Sequence, residues 1–237
     1  MCGRYTQHHS TDQVVMRFSV DESLADVSER YNVAPTQSAP IVYQKDDKRV
    51  LASFRWGLIP SWAKDTTIGS KLLNARAETV AEKPSFRTAL KRRRCLVPAD
   101  GYYEWQQEGK QKRPILFQRV DHDLFAFAGL WEEWKGPDGI EMRTFTVITT
   151  TPNELAARTH DRMPAILCRD DEAVWLNQNP DASDAVTELL SLLRPYPQKL
   201  MEALPVSTRV NSVAFDDPAL IVAITSGTAN IQQDSLF

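Results

Sequence analysis

The sequence predicts an α+β domain with a central, mainly antiparallel β-rich core flanked by short helices. Three pairs of apolar runs, each pair separated by a turn sequence, predict β-hairpins in the middle of the chain. Short segments with helix-capping signals lie before and after them. No Gly/Ser-rich linker, repeat or low-complexity tract divides the 237 residues, so we expect one compact domain over residues 1–215 and a partly loose tail over 216–237.

The first element expected is a short helix, because Ser10 to Gln13 have the form of a capping box ahead of "VVMRF". Such a helix would hold the amino terminus near the body of the protein. Three hairpins should follow it. They are "APIVYQKDDKRVLASFRWG" at 39–57, turning at "KDDKR"; "RCLVPADGYYEWQQEGKQKRPILFQ" at 94–118, turning at "EGKQK"; and "LFAFAGLWEEWKGPDGIEMRTFTVITTT" at 124–151, turning at "GPDG".

The remaining part of the chain should contain three helices and two strands. Thr151 to Glu154 combine a capping box with a proline at the first helical position, so a helix should run to about Thr159 and leave His160 just beyond its end. The other elements are a buried strand at "PAILC" (164–168), helices at "DDEAVWLNQ" (170–178) and "SDAVTELLSLL" (183–193), and a strand at "LMEALPVS" (200–207).

Composition and charge exclude several classes of protein. The chain is 42% hydrophobic and 25% charged, as ordinary globular proteins are. Its net charge is −3, so any nucleic-acid site must be a local basic patch. Cys2, Cys95 and Cys168 are widely spaced and form no CxxC pair, which argues against a disulfide framework and a cysteine zinc site. Without a signal-peptide pattern or an apolar stretch of membrane-spanning length, the prediction is a cytoplasmic protein with no membrane partner.

Cys2 is the most unusual feature of the sequence, because residues at a terminus are usually chemically idle. Removal of Met1 would place an α-amine and a thiol on one residue. An α-amine has a reference pKa of about 7.7–8.0, so an appreciable fraction is a neutral nucleophile near pH 7. It can form a Schiff base with an aldehyde, and the thiol can then close a thiazolidine ring on the imine carbon. The alternative, a small buried cysteine behind a retained methionine, stays open at this point.

Polar residues in apolar segments are candidates for acid, base or orienting roles. "KLLNARAET" places Asn74, Arg76 and Glu78 in a segment otherwise suited to the interior. Glu104 lies among aromatic residues in "DGYYEW", and burial of an unpaired carboxylate costs several kcal/mol, so it should have a raised pKa or a designated partner. A core ion pair is the alternative for Glu104. His160, in "THDRMP", is the residue type best suited to pass protons near neutral pH.

Several aromatic residues lie close in sequence to arginines: Trp56, Trp62, Tyr102, Tyr103 and Trp105. Single-stranded nucleic acid is bound by this combination, with cations on phosphates and flat rings under bases. A solvated charged face is the alternative for the run "LKRRRC". Trp62, in "GLIPSWAKD", is expected on a loop, where packing does not readily explain a large aromatic side chain.

No metal and no cofactor is expected. His8 and His9 are adjacent, but neighbouring side chains diverge in regular structure. The sequence offers no matching pair of ligands elsewhere. His122, in "VDHDL", is interpreted as a turn residue.

Seven ordered motifs together resemble the SRAP family, the SOS response-associated peptidase domain. They are "MCGRY" at the amino terminus, "YNVAPTQ" at 31–37, "RWGLIPSWAKD" at 55–65, "NARAET" at 74–79, "CLVPADGYYEW" at 95–105, "THDRMP" at 159–164 and "PVSTRVNS" at 205–212. The resemblance implies a compact α+β fold. It also implies a sensor of abasic sites in single-stranded DNA, which caps the lesion by a covalent crosslink through the terminal cysteine.

The resemblance implies roles for four catalytic residues. Cys2 would be the nucleophile, amine first and thiol second, and Asn74 would orient the sugar or the terminal group. Glu104 would act as general acid and base in opening the sugar ring. His160 would assist Schiff-base formation. A self-processing peptidase activity and a secondary β-elimination lyase activity are also implied.

The resemblance places six further residues at the DNA. Arginines would contact phosphates, tryptophans would border the strand, and a proline in the "NVAP" loop would wedge against bases beside the lesion: Arg4, Arg76 and Arg162; Trp62 and Trp105; and Pro35. The implied partner is single-stranded DNA containing abasic sites. No obligate protein partner is expected, and the chain is expected to be a monomer.

Two alternatives from other functional classes remain at this stage. A glutamine amidotransferase with an amino-terminal nucleophile also begins its mature chain with cysteine and glycine, and its thiol attacks the amide of glutamine. A non-covalent module that binds single-stranded DNA would leave Cys2 incidental. Ammonia release from glutamine would support the first, and intact DNA association in Cys2→Ala would support the second.

Overall fold

The computed structural model describes residues 2–137, 139–177 and 185–224. Helices in these ranges are α1 (Thr11–Phe18), α2 (Arg87–Arg92), α3 (Glu154–Ala157), α4 (Asp171–Leu176) and α5 (Ala185–Leu192). Strands are β1 (Tyr5–Gln7), β2 (Glu22–Ser23), β3 (Arg30–Val33), β4 (Ser38–Lys45), β5 (Lys48–Trp56), β6 (Asn74–Arg76), β7 (Arg94–Ala99), β8 (Gly101–Glu108), β9 (Gln111–Arg119), β10 (Phe125–Lys135), β11 (Glu141–Thr150), β12 (Met163–Pro164) and β13 (Met201–Pro205).

The three predicted hairpins form as β4–β5, β8–β9 and β10–β11, each antiparallel. The bounds of the second were wrong: its predicted first residues, Arg94–Ala99, form β7, which pairs with β10 and β4 in the other sheet. The first turns at Asp46 and Asp47, whose φ angles of 48° and 61° are the left-handed values that tight hairpin turns require. The second turns at Gly109, with φ of 60°. Turn chemistry that is local in sequence therefore set the register of these strands.

The strands form two sheets. The first has the order β13-β9-β8-β1-β3, and the second has the order β12-β11-β10-β7-β4-β5-β2, with β6 paired to β11. Most pairings are antiparallel, as predicted, but β11–β5, β11–β6 and β2–β5 are parallel. The β11–β5 pairing closes a ring of strands within the second sheet.

The main apolar core lies between the two sheets. Tyr5 from the first sheet packs against Trp56 and Phe127 from the second, with ring centroids 5.3 Å and 5.7 Å apart. Cys2 and Tyr102 belong to the same buried cluster. The amino-terminal residues are thus held inside the core rather than frayed at the surface.

A second buried cluster covers the other side of the second sheet. It includes Val14 and Phe18 of α1, Leu90 of α2, Trp175 of α4 and Leu189 of α5. These helices are short because each one covers only part of the sheet, and their stability comes from this packing more than from helix propensity.

The predicted helix α1 is confirmed, with its capping box at Ser10 and Gln13. The predicted start of α3 is wrong. Its N-cap is Asn153, whose side chain accepts a hydrogen bond from the Ala156 amide, and the helix ends at Ala157 rather than near Thr159. His160 lies beyond the helix end, as expected.

The other predicted elements are mostly confirmed. Helices α4 and α5 and strand β13 form where expected. The predicted strand at 164–168 is shorter: β12 covers only Met163–Pro164, and Ile166 makes an isolated bridge to Phe127. Residue 178 of the predicted helix at 170–178 and residues 183 and 184 of the predicted helix at 183–193 lie outside the described residues.

The boundary of the predicted tail at 216 stays a prediction. Residues 216–224 pack on the domain: Asp216 accepts hydrogen bonds from the amides of Tyr31 and Asn32 at 2.5 Å and 2.9 Å, and Leu220 is buried. The rest of the predicted tail, 225–237, lies outside the described residues. No helix within the described part of the chain has the length and apolar character needed to cross a membrane.

Candidate active site

Cys2 lies in the core, three residues before β1 begins at Tyr5, and its side chain is fully buried. The Nδ2 atom of Asn74 donates a hydrogen bond to the Cys2 carbonyl oxygen at 2.9 Å. Burial raises the pKa of the Cys2 thiol above its usual range, and the negative charge of Glu104 raises it further. The thiol is therefore held neutral, which suits a group that acts after a first nucleophile.

Asn74 reaches Cys2 because β6 pairs in parallel with β11, which places Asn74 opposite Val147. Its Nδ2 atom donates to the Cys2 carbonyl oxygen, whereas its Oδ1 atom is buried and accepts no hydrogen bond within the described residues. A buried acceptor without a donor carries a desolvation cost. Asn74 can therefore orient the terminal residue with one atom and accept from an incoming group with the other.

Glu104 lies on β8 with only 4% of its surface exposed. Burial raises the pKa of its carboxyl group, and the nearby His160 opposes the rise without cancelling it. A carboxyl group with a raised pKa keeps its proton closer to neutral pH, so Glu104 can serve as a proton donor.

His160 lies just beyond α3, and its backbone amide donates to the Ala156 carbonyl at 3.0 Å. The Arg162 amide donates to its Nδ1 atom at 3.0 Å, and the same nitrogen lies 2.8 Å from Asp161 Oδ1. The side chain of Gln106, two residues after Glu104 on the same face of β8, donates to the Arg158 carbonyl at 3.3 Å. This bond holds the His160 segment against the strand that carries Glu104.

Asn74 is hydrogen-bonded to Cys2. The charge of Glu104 acts on the Cys2 thiol, and His160 acts electrostatically on Glu104. The structure thus brings together the four residues for which catalytic roles were predicted, although they come from four separate segments of the chain.

Arg76, on β6, and Arg162, directly before β12, lie beside this group. Arg162 forms a two-pronged ion pair with Glu78, at 2.6 Å and 2.9 Å, and also donates to the Thr149 carbonyl at 2.6 Å. Arg76 is exposed at the end of β6. Glu78 was expected, from its place in an apolar segment, to have an acid, base or orienting role, and the structure pairs it with Arg162, a partner that the sequence did not indicate.

Arg4 and Trp105 both contact the segment that contains Val210 and Asn211. The Nη1 atom of Arg4 donates to Asn32 Oδ1 and to the Val210 carbonyl, both at 2.8 Å. The Nε1 atom of Trp105 donates to Asn211 Oδ1 at 2.7 Å. Because side chains alternate along a strand, Trp105 faces the opposite side of β8 from Glu104.

Pro35 and Trp62 lie on loops. Pro35 is half-buried and precedes Thr36, whose φ angle of 69° is unusual for a β-branched residue. Trp62 is 59% exposed, which agrees with the predicted loop. Both side chains are accessible from solvent.

Tyr5 and Tyr102 were not predicted as site residues. They are register partners on β1 and β8, and both share the buried cluster of Cys2. Their hydroxyl groups are buried and make no hydrogen bond with the described residues. Burial raises the pKa of both hydroxyls, so they remain neutral.

One premise of the sequence argument against a metal site is wrong. The side chains of His8 and His9 do not diverge: their ring centroids are 5.3 Å apart, with an angle of 34° between the planes. Both histidines follow the end of β1, where the backbone is no longer regular. Asp100 contacts both of them.

The fold and site define a β-rich, single-domain protein that presents a cysteine at its amino terminus beside an amide, a buried carboxyl group and an imidazole. The chain belongs to the SOS response associated peptidase (SRAP) family, whose family model matches residues 1–213. The resemblance seen in its motifs is thereby confirmed.

Relatives of known name support the same grouping. The chain is 46% identical over 224 residues to the abasic site processing protein YoqW of Bacillus subtilis (strain 168), covering 93% of this chain and 99% of that one. It is 36% identical to the abasic site processing protein HMCES of Gallus gallus, over 83% of this chain and 67% of that one. A crystal structure of a Bacteroides thetaiotaomicron protein matches with a TM-score of 0.85 and 32% identity, covering 94% and 100% of the two chains.

Proposed function

We propose that this protein senses abasic sites in single-stranded DNA and shields them by a covalent crosslink through Cys2 after Met1 has been removed. The observation that carries the proposal is the meeting of Cys2, Asn74, Glu104 and His160 at the start of β1. The names of the relatives, which are abasic site processing proteins, supply the substrate.

The reaction begins with the opening of the sugar. An abasic deoxyribose is mostly a closed hemiacetal; it opens to the aldehyde when Glu104 gives a proton to the ring oxygen and the hydroxyl on the same carbon gives its proton to water. The α-amine attacks the aldehyde carbon, and loss of one water gives an imine. His160 moves the protons that this dehydration requires.

The thiol completes the crosslink. It adds to the imine carbon and transfers its proton to the imine nitrogen, so a five-membered thiazolidine forms and nothing further is released. The net change is the loss of one water between protein and DNA. Because the Cys2 thiol is buried and neutral, it is a weak nucleophile towards the aldehyde. The amine therefore attacks the aldehyde first, and the thiol reacts afterwards with the imine.

The test uses purified protein and a single-stranded oligonucleotide with one abasic site. We expect a denaturation-resistant product whose mass equals protein without Met1 plus DNA minus one water. Cys2→Ser should give a less durable product, and an extra residue ahead of Cys2 should abolish it. Cys168→Ser is the matched control, since Cys168 is a half-buried thiol outside the site. Retained Met1, or a Cys2→Ala variant that still forms the resistant product, would contradict the proposal.

A lyase activity follows from the same chemistry. Cys2→Ala keeps the α-amine but lacks the thiol, so the imine cannot close to a ring and β-elimination can break the DNA strand. We expect more strand cleavage by Cys2→Ala than by the native chain, measured on a denaturing gel. Equal cleavage by both chains would remove the lyase activity from the proposal.

Self-processing of the Met1–Cys2 bond is the peptidase activity that the family name indicates. Translation in vitro with methionine aminopeptidase inhibited, followed by intact-mass measurement, tests it. Loss of Met1 from the native chain but not from Glu104→Gln would support self-processing. Retention of Met1 in both chains would assign the removal to a separate aminopeptidase.

A further inference from the structure

A second group of titratable side chains lies at the other end of β1 from Cys2. His8 and His9 directly follow β1, and Asp100 lies between β7 and β8. These segments are adjacent because β1 pairs with β8 and places Thr6 opposite Gly101. The proposed crosslinking chemistry does not use this group.

The three side chains converge on a small volume. The Nδ1 atom of His8 lies 2.9 Å from Asp100 Oδ2, and the Nδ1 atom of His9 contacts Asp100 Oδ1. One ligand atom from each of the three residues lies within 4.8 Å of the others. Ligand atoms in a tetrahedral zinc site are about 3.4 Å apart, since zinc–ligand distances are about 2.0–2.2 Å. Small side-chain rotations therefore convert the group into a coordination site.

The group is held in place by its surroundings. The His8 amide donates to Asp100 Oδ2 at 2.5 Å, and the His8 ring stacks on Tyr31 with centroids 5.1 Å apart and 12° between the planes. The Tyr103 hydroxyl donates to the Tyr31 carbonyl at 2.8 Å, which anchors that segment in turn. Ligands fixed in this way lose little freedom when an ion binds.

The buried His8 Nδ1 atom faces into the group. It lies 2.9 Å from Asp100 Oδ2, and the other oxygen of that carboxylate contacts the Nδ1 atom of His9, so two ring nitrogens converge on one carboxylate. Asp100 is 5% exposed, and both histidines contact its carboxylate group. A cation placed among these atoms satisfies the ring nitrogen and the buried negative charge together.

We propose that His8, His9 and Asp100 form a binding site for a divalent transition-metal ion, with Zn²⁺ as the best fit. Two imidazole nitrogens and one carboxylate oxygen are a ligand set that zinc prefers. The histidine side chains are 27% and 19% exposed, so an ion can enter and water can complete its coordination. The ion would tie the end of β1 to the β7–β8 junction and so fix the strand that positions Cys2.

Isothermal titration of the tag-free, chelator-treated full chain with ZnCl₂ tests the site. The Cys2→Ala background removes the terminal thiol as a competing zinc ligand. We expect saturable binding of one Zn²⁺ per chain. His8→Gln and His9→Gln should each weaken it by at least about tenfold, because each removes a ligand. His122→Gln is the matched control and should bind as the parent does, since His122 is 68% exposed outside the group.

A second measurement separates lost binding from lost folding. Zn²⁺ should raise the melting temperature of the parent and of His122→Gln, but not of the His8 or His9 variants, each of which must show the parent's circular dichroism without metal. Asp100→Asn, which keeps an acceptor for the His8 amide, supplies the same test if a histidine variant does not fold. No saturable binding by the parent, or unchanged binding by folded variants of the group, would overturn the proposal.

Discussion

The burial of Glu104 raises the pKa that a proton donor needs, and it also lowers the free energy of unfolding at neutral pH. Its carboxyl group is 4% exposed, and burial raises its pKa. Below the ordinary glutamate pKa of about 4.3 the group is protonated in both the folded and the unfolded chain, so it costs nothing. As pH rises through the raised folded pKa the native state must bury a charge, and the native chain then becomes less stable relative to a neutral variant.

Glu104→Gln should therefore stabilise the fold at neutral pH, and the gain should disappear below about pH 4. The same change should slow crosslink formation by about 10²-fold or more, because the proton donor is lost. Thermal melts across pH and gel assays of the crosslink measure the two effects. Glu108→Gln, an exposed change on the same strand, should alter neither. A variant that is less stable at neutral pH would refute the burial argument.

Thr36 carries backbone strain next to Pro35. Its φ of 69° costs an L residue about 1–2 kcal/mol, and a β-branched side chain is especially disfavoured there. The amide of Thr36 donates to the Trp56 carbonyl at 2.9 Å, and its carbonyl accepts from Arg55 Nε at 3.1 Å. These bonds hold the loop in the strained form, as is common at ligand-binding loops.

Thr36→Gly should relieve that strain. Part of the gain is lost because glycine has more freedom in the unfolded chain, so we expect a net stabilisation of at most about 1 kcal/mol in urea unfolding. Thr36→Val keeps the branched side chain and should leave the free energy of unfolding nearly unchanged. Destabilisation by Thr36→Gly would mean that the hydroxyl or methyl group of Thr36 stabilises the loop.

At the scale of elements, a buried ion pair joins α1 to α4. Arg17 donates to both oxygens of Glu172 at 2.9 Å and 2.8 Å, and the two side chains are 9% and 4% exposed. Glu172→Ala should cost about 3–5 kcal/mol, because Arg17 is left buried without its anion. Urea unfolding measures this cost.

The matched control for this prediction is the pair of Lys135 and Glu141, whose side chains are 71% and 74% exposed. Glu141→Ala should change stability by no more than about 1 kcal/mol. The double change Arg17→Met and Glu172→Leu should recover most of the loss, since apolar packing can replace a buried ion pair. Equal costs for Glu172→Ala and Glu141→Ala would mean that burial does not strengthen the first pair.

Elements with local signals were predictable, whereas elements set by distant contacts were not. The turn at Asp46 and Asp47 defined its hairpin from sequence alone. The start of α3 was misplaced because Thr151 and Asn153 both have capping side chains, and only the fold selects Asn153. The parallel pairing of β11 with β5 has no local signal, because it joins residues far apart in sequence.

In the candidate site, too, some residues have local sequence signals, whereas other contacts form only between distant segments. Cys2 and Glu104 could be singled out from their own chemistry, as a terminal thiol and a carboxyl group among aromatic residues. The pairing of Glu78 with Arg162 and the approach of Asp100 to His8 depend on segments that meet only after folding. Sequence patterns indicate which polar groups would be costly to bury, but the partner of each such group depends on which segments meet in the folded chain.

At the scale of the whole molecule, a net charge of −3 means that DNA must be bound by a local set of cations. The arginines of the predicted set are not equally available for this role. Arg4 is committed to Asn32 and Val210, and Arg162 is paired with Glu78, whereas Arg76 is exposed at the end of β6. Of these three arginines, Arg76 is thus the most available to contact a DNA phosphate and displace its counterions.

Arg76→Gln should therefore weaken binding to single-stranded DNA and reduce the slope of log K against log salt by about 0.7, the value for one phosphate contact on a single strand. Fluorescence anisotropy across a salt series measures the slope, with Cys2→Ala as the background and an oligonucleotide that has no abasic site, so that no imine forms and binding stays reversible. Arg92→Gln removes the same charge from α2, which packs in the second buried cluster and not in that of Cys2, and it should leave the slope unchanged. Equal slope changes in the two variants would show that net charge, and not a contact at the end of β6, governs binding.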